Sequence, residues 1–215
     1  MIRHWFDKKE GAHSTGSGAS GPRIPRHSGG WAALRKRLQA EPGLRIIDSG
    51  ATSPTNINYL TSLGHSVFMT DLATEACTGS WKKGVDEDDK PIYDIEGYLK
   101  QTLNFGGKMY DIVLLWTALD YIPEPFVPAV VKHLYASLNP GGQVLAFFHT
   151  RKSPDESAHC RFHITAGDTV EMQLAQPFPI QRAFTNRIIQ DLFNQWSGFR
   201  QFLAKDSISE VIITR

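Results

Sequence analysis

The chain has 215 residues, 41% of them hydrophobic, enough to fill one good core once a disordered-looking start is set aside. Its 23 basic and 22 acidic residues leave a formal net charge of +1, a balance that argues against general affinity for nucleic acid or an anionic membrane. Cys77 and Cys160 match no metal spacing, and the sequence shows neither an apolar signal segment nor an apolar run of about eighteen residues. The expectation is a soluble protein of the reducing cytoplasm, with both cysteines structural.

From Asp7 to Gly30 the sequence is dense in Gly, Ser, Pro and charge, with little to bury. It reads as a flexible tail, so residues 1–30 are set apart from a single domain over 31–215. Its histidines, with His4, read as solvated, because no fixed geometry brings them together. Trp31, Leu34 and Leu38 mark an amphipathic helix ending near Pro42-Gly43.

Leu44, Ile46 and Ile47 form a short apolar run, Asp48 to Ser53 is turn chemistry, and Pro54 suits the first position of a helix capped by Ser53. Ile57, Leu60 and Leu63 recur at helical spacing, and Gly64 stops them. HSVFMTDL is a second strand closing at Asp71. The next segment holds an acidic, proline-bearing loop, VDEDDKPIY, and one helical stretch, DIEGYLKQTL.

YDIVLLW is apolar throughout, as a strand covered on both faces would be. Phe126, Val130, Leu134 and Leu138 make one helical stripe, ended by Asn139-Pro140-Gly141-Gly142, and QVLAFFH is another buried strand. Residues 160–184 alternate around Ala166-Gly167-Asp168 and are expected to add two strands to the main sheet. Thr185 caps a last helix, and GFRQFLAK with EVIITR predicts a closing hairpin. Strands alternating with helices specify an α/β sandwich, parallel except for its last strand.

In open sheets of this kind a ligand sits beyond the carboxyl ends of the strands, and the first strand–helix turn contacts it. Here that turn runs from Asp48 to Pro54, and Asp71 lies at the end of the second strand, where an acid can accept hydrogen bonds from ribose hydroxyls. A dinucleotide needs close backbone approach to its pyrophosphate, hence a fuller glycine set than Gly50 alone. A phosphate-free adenosyl cofactor makes a smaller demand.

On these residues the chain resembles the class I S-adenosylmethionine-dependent methyltransferases over roughly residues 31–215. IIDSGATSPTNINYLTSLGHSVFMTDL is similar to their first motif through to the ribose acid, SLNPGGQVLAFF to the strand-five motif, and FRQFLAKDSISEVIITR to the closing hairpin. Asp71, Asp111 and Asn139-Pro140-Gly141-Gly142 together are its most specific part. Asp48 and Gly50 match the glycine-rich turn, whereas Thr52 and Pro54 stand where its second and third glycines would be.

The resemblance implies a three-layer Rossmann-like fold and S-adenosyl-L-methionine as cofactor, held by Asp48, Gly50, Thr52, Ser53, Asp71, Leu72 and Trp116. Methyl transfer needs alignment and, for weak nucleophiles, removal of a proton. Asp120 is a candidate to orient or deprotonate a small-molecule acceptor, Tyr121 to pack on it, and His149 to act as a base. The competing readings are a helix cap for Asp120, core for Tyr121 and a structural role for His149. Arg151, Lys152, Arg161 and Arg182 are candidates for an anionic acceptor, and Asp94 and Glu96 for the adenine. Three functions stay open: methyl transfer to a small molecule; a non-catalytic binding or regulatory protein with a protein partner; and, less favoured by the missing glycines, a dehydrogenase.

Overall fold

The computed structural model describes residues 21–152, 158–204 and 206–215. Strand β1 (Ile24–His27) leads into helix α1 (Gly29–Ala40), which begins where Ser28 accepts a hydrogen bond from the Trp31 amide. Then follow β2 (Arg45–Asp48), α2 (Pro54–Ser62), β3 (Ser66–Met69), α3 (Leu72–Thr78), β4 (Lys82–Val85), β5 (Pro91–Tyr93) and α4 (Ile95–Thr102). The second half comprises β6 (Tyr110–Trp116), α5 (Ala118–Tyr121), α6 (Phe126–Ser137), β7 (Leu138–His149), β8 (Cys160–Ile164), β9 (Thr169–Leu174), α7 (Asn186–Leu192), β10 (Gly198–Phe202) and β11 (Ile208–Thr214).

The main sheet has the order β10-β11-β7-β6-β2-β3. Strands β3, β2, β6 and β7 run parallel, and β11 is antiparallel to both its neighbours, as expected for a closing hairpin. The chain leaves β2 toward β3 and returns to its other side as β6, so the strand order reverses at β2. In open sheets the ligand crevice lies at such a reversal, which here falls beyond Asp48 and Trp116.

Alternation along the buried strands sends side chains into two cores. Ile47, Val113, Leu115 and Phe148 pack on one face with residues of α3, α4, α6 and α7. Ile46, Ile112, Leu114, Leu145 and Phe147 pack on the other, against α1, α2, β8 and β9. The result is a three-layer α/β sandwich with both faces of its central strands covered, the reason they read as unbroken apolar runs.

The motif residues far from the crevice are structural. Asp111 accepts from the Arg45 amide at 2.9 Å and from Asn139 Nδ2 at 2.7 Å, tying together the starts of β2, β6 and β7. Gly141, at φ +78°, takes a backbone conformation that a side chain would strain.

Two expectations are corrected. Residues 24–30, assigned to the tail, form β1 and the start of α1; residues 1–20, with the remaining tail histidines except His27, lie outside the described residues. Arg26 explains the anchoring: it pairs with Asp206 at 2.6 Å and with Glu210, which is 1% exposed and also accepts from Ser28 Oγ and the Gly30 amide, each at 2.8 Å. The excursion at 160–184 does not extend the main sheet either. Strands β8 and β9 pair with β1 as a separate antiparallel sheet, order β1-β9-β8, lying on α1 and α2. The acidic loop at 86–89 is the turn of a hairpin, β4–β5.

Candidate functional site

The Asp48–Pro54 turn forms as its chemistry predicts, with Ser53 capping α2 and Pro54 in its first turn. Asp48 is 1% exposed and two side-chain donors converge on it: Trp116 Nε1 donates at 2.8 Å to one oxygen and Asn56 Nδ2 at 2.9 Å to the other. Burial pushes its carboxyl up to about 6, against the pull of Asn56 and Trp116.

Trp116 decides what the crevice can hold. It ends β6 with φ +49°, a left-handed conformation that large residues rarely adopt, and this folds its indole back over the turn. A Cβ built on Gly50 would lie 2.6 Å from Trp116 Cδ1, so the indole rests on the one glycine of the turn. The ring stacks on Phe162 at 5.0 Å with 5° between planes, and Phe147 packs edge-on to both. All three rings are at most 3% exposed.

The separate sheet closes over this stack. Asn56 uses its amide like a short strand edge, donating to the Phe162 carbonyl at 3.0 Å and accepting from the Ile164 amide at 2.8 Å. Ser53 Oγ lies 2.8 Å from His163 Nδ1, and His163 Nε2 lies 3.0 Å from Gln173 Oε1. Serine, histidine and amide thus stand in the sequence of a nucleophile, base and orienter. Yet Ser53 has no exposure and its hydroxyl already accepts from the Asn56 amide, so this chain is a lock between α2 and β8.

Asp71 lies two residues beyond the end of β3 and is half-buried. It caps α3, with one oxygen accepting from the Thr74 amide at 3.0 Å and the other from Thr74 Oγ1 at 2.8 Å. Leu72 is fully buried, and its carbonyl accepts from Tyr98. Thr52 is exposed. Asp48, Gly50, Ser53 and Trp116 are therefore brought together, Asp71 and Leu72 follow β3 beside them, and Thr52 is exposed in the same turn.

Asp120, Tyr121 and His149 gather as a second group. One oxygen of Asp120 accepts from the His149 amide at 2.9 Å and lies 2.6 Å from His149 Nδ1. Asp120 has no exposure, and burial pushes its carboxyl up to about 6, with His149 opposing. Burial also drives the Tyr121 hydroxyl above its ordinary range, and Asp120 adds to this.

The remaining candidates disperse. Lys152 donates to the Gln181 carbonyl, Arg182 pairs with Glu124, and Arg151 is exposed. Arg161 Nε is buried without a hydrogen-bond partner. Asp94 caps α4 and pairs with Lys83 at 3.0 Å, while Glu96 follows in the first turn of that helix. Sequence reasoning missed Asn56, His159, Phe162 and His163. For Phe162 and His163 the signal was alternation in RFHIT, which puts them on opposite faces of β8, one for the stack and one for the lock; Asn56 and His159 carried no comparable local signal.

Among the described residues no group of three or more His, Cys, Asp or Glu is placed to hold a metal ion, and no helix is long and apolar enough to cross a membrane. S-adenosylmethionine does not fit these residues as they stand. The space over Gly50, the one glycine of the turn, is filled by the Trp116 indole.

No family model matches the chain, and no curated protein matches it. Solved structures do. TehB from Haemophilus influenzae is 14% identical at a TM-score of 0.48, over 85% of this chain and 61% of that one, so the chain spans less than two thirds of its length. A SAM-dependent methyltransferase from Methanosarcina mazei is 15% identical at 0.49, over 84% and 96% of the two chains. Magnesium protoporphyrin IX methyltransferase from Synechocystis PCC 6803, solved with bound SAH, is 14% identical at 0.47, over 86% and 78%. At these identities the likeness is one of fold and reaches neither residues nor reaction. The reversal of strand order at β2, with an antiparallel strand inserted before the last, makes this a class I methyltransferase-like fold.

Proposed function

We propose that this chain is a non-catalytic protein of methyltransferase-like fold, a binding or regulatory module whose cofactor crevice is filled by its own aromatic side chains. The observation that carries this reading is Trp116, held over Gly50 by a hydrogen bond to Asp48 and by stacking on Phe162. Three separate contacts fix that ring, and the Ser53–His163 and Asn56–β8 bonds hold the stacked partner in place. A crevice filled this way has lost the close backbone approach for which a glycine turn exists.

The second reading is S-adenosylmethionine-dependent methyl transfer to a small-molecule acceptor. It is favoured by Asp48 at the end of β2 and Asp71 two residues past the end of the adjacent parallel β3, at the point where strand order reverses. It requires Trp116 to swing out, breaking its bond to Asp48 and unstacking Phe162.

Calorimetric titration with S-adenosylmethionine and S-adenosylhomocysteine separates the two. The expected result is no heat and no thermal shift up to millimolar ligand. Micromolar binding that disappears in Asp71→Ala would overturn the proposal in favour of methyl transfer. A Trp116→Ala variant, expected to cost about 3–5 kcal/mol of stability through the vacated volume, would then show whether the ring alone blocks the crevice.

A further inference from the structure

A second buried polar cluster lies around Tyr121, on α5. The rings of His149, from β7, and His159, just before β8, both pack edge-on against Tyr121, with centroids 6.1 Å and 4.9 Å away. Phe178 covers His159 at 5.3 Å. Asp120 is the residue before Tyr121, and Asp71 acts electrostatically on His159. On the α3 side Asp71 is half-buried and Cys77, which contacts the Tyr121 carbonyl, is exposed, so this is the rim of the cluster.

Two polar atoms here have no partner. Asp120 Oδ1 and His159 Nδ1 are buried without a hydrogen bond, on side chains 0% and 3% exposed. Orphaned buried groups are rare in native proteins, and two within one cluster call for a shared explanation. His149 occupies only the other oxygen of Asp120. The neighbouring cations are engaged elsewhere, Lys152 on the Gln181 carbonyl and Arg182 on Glu124.

We infer that this cluster is a binding site for a small protonated amine. An ammonium group supplies the donor that Asp120 Oδ1 lacks and a further donor for His159 Nδ1. The carboxylates of Asp120 and Asp71 favour a cation and disfavour an anion. A neutral apolar group would leave both orphans unpaired. The inference adds the ligand that the binding-module reading leaves unnamed and rests on that reading; it is read at the His149 and His159 rings and through Asp120→Asn, so it can fail while the absence of S-adenosylmethionine binding at the Gly50 turn stands.

The test is a titration of the full chain, with ¹⁵N-labelled histidine, against ethylammonium chloride at fixed pH and ionic strength, with ethanol and sodium acetate as controls. The expected result is a saturable shift of the His149 and His159 ring resonances with ethylammonium only, at least tenfold weaker in Asp120→Asn, while the exposed His27 does not respond. Absence of a saturable shift, an equal response to ethanol, or an unchanged response in Asp120→Asn would overturn the inference and leave an ordered water as the occupant. Should Asp120→Asn lose its near-ultraviolet circular dichroism, His159→Phe, which keeps an aromatic ring against Tyr121, carries the test: weakened binding read at His149 supports the site, and undiminished binding overturns it.

Discussion

The β1-β9-β8 sheet and the β4–β5 hairpin are both additions to the central parallel sheet, and they are fastened by different means. The first buries polar groups whose partners exist in one arrangement only: Arg26 on Glu210 and Asp206, Asn56 on both sides of Phe162–Ile164, His163 on Ser53, and Trp31 Nε1 on the carbonyls of Thr165 and Gly167. The second is exposed along Lys82–Val85, leaves Val85 and Ile92 nearly half exposed, and is joined to its neighbours by a surface pair, Lys83–Asp94, and by Trp81 donating to the Glu75 carbonyl. Apolar contact is tolerant of sliding, whereas a buried donor without its acceptor costs about 1–3 kcal/mol. The polar bonds therefore set where the larger addition sits, and that position is what stacks Phe162 on Trp116.

Breaking the buried network has the largest expected effect. Glu210→Ala strands the Gly30 amide and Ser28 Oγ and leaves the buried Arg26 with Asp206 as its one carboxylate, and a loss of about 3–5 kcal/mol is expected in urea denaturation. A loss under about 1 kcal/mol would mean that the ion pair is not what anchors β1.

A pH series sharpens the same point. Burial holds His163 below its ordinary range; the bond to Gln173 opposes this, and Arg23 and Arg161 reinforce it. A histidine kept neutral in the fold stabilises fully above its unfolded value, about 6.5, and that contribution is lost as pH falls through the lower folded value. The stability advantage of the wild type over His163→Gln should accordingly shrink between pH 7.5 and pH 5; an advantage constant with pH would refute the lock. Asp48 and Asp120 titrate with the opposite sign. Both are pushed up to about 6, so the penalty on their charged forms is relieved as pH falls below that value, which is why the variant difference must be read in place of the wild-type curve alone.

The smallest effect is expected on the hairpin, where Ile92→Thr should change stability by no more than about 0.5 kcal/mol, because a side chain 47% exposed has little to lose. A cost above about 2 kcal/mol would place the hairpin in the core and remove the contrast.

The elements of the main sheet were legible because their signals are local. The stripe of Phe126, Val130 and Leu134 is a helical period read within a few turns, and YDIVLLW announces a doubly covered strand by composition alone. Ser53 and Pro54 similarly carry the start of α2 within two residues. The tail boundary was misread for the converse reason. Residues 24–30 carry little apolar surface, and their order comes from Arg26 meeting Glu210, 184 positions away.

The candidate site divides along the same line. Asp48 at a strand end, Gly50 in the turn and Asp71 at the next strand end were set by the sequence itself, since strand, turn and cap chemistry place them without help from distant residues. The filling of the crevice was decided by the tertiary structure. Ser53 meets His163 across 110 positions and Asn56 meets Ile164 across 108, and nothing in either segment specifies the other. Trp116 could be placed at the mouth of the crevice from its position at the end of the central strand, but its left-handed backbone, the arrival of Phe162 and the bond to Asp48 together turn its ring inward. Position follows from local backbone preference, whereas occupancy follows from which side chains the packed fold leaves room for.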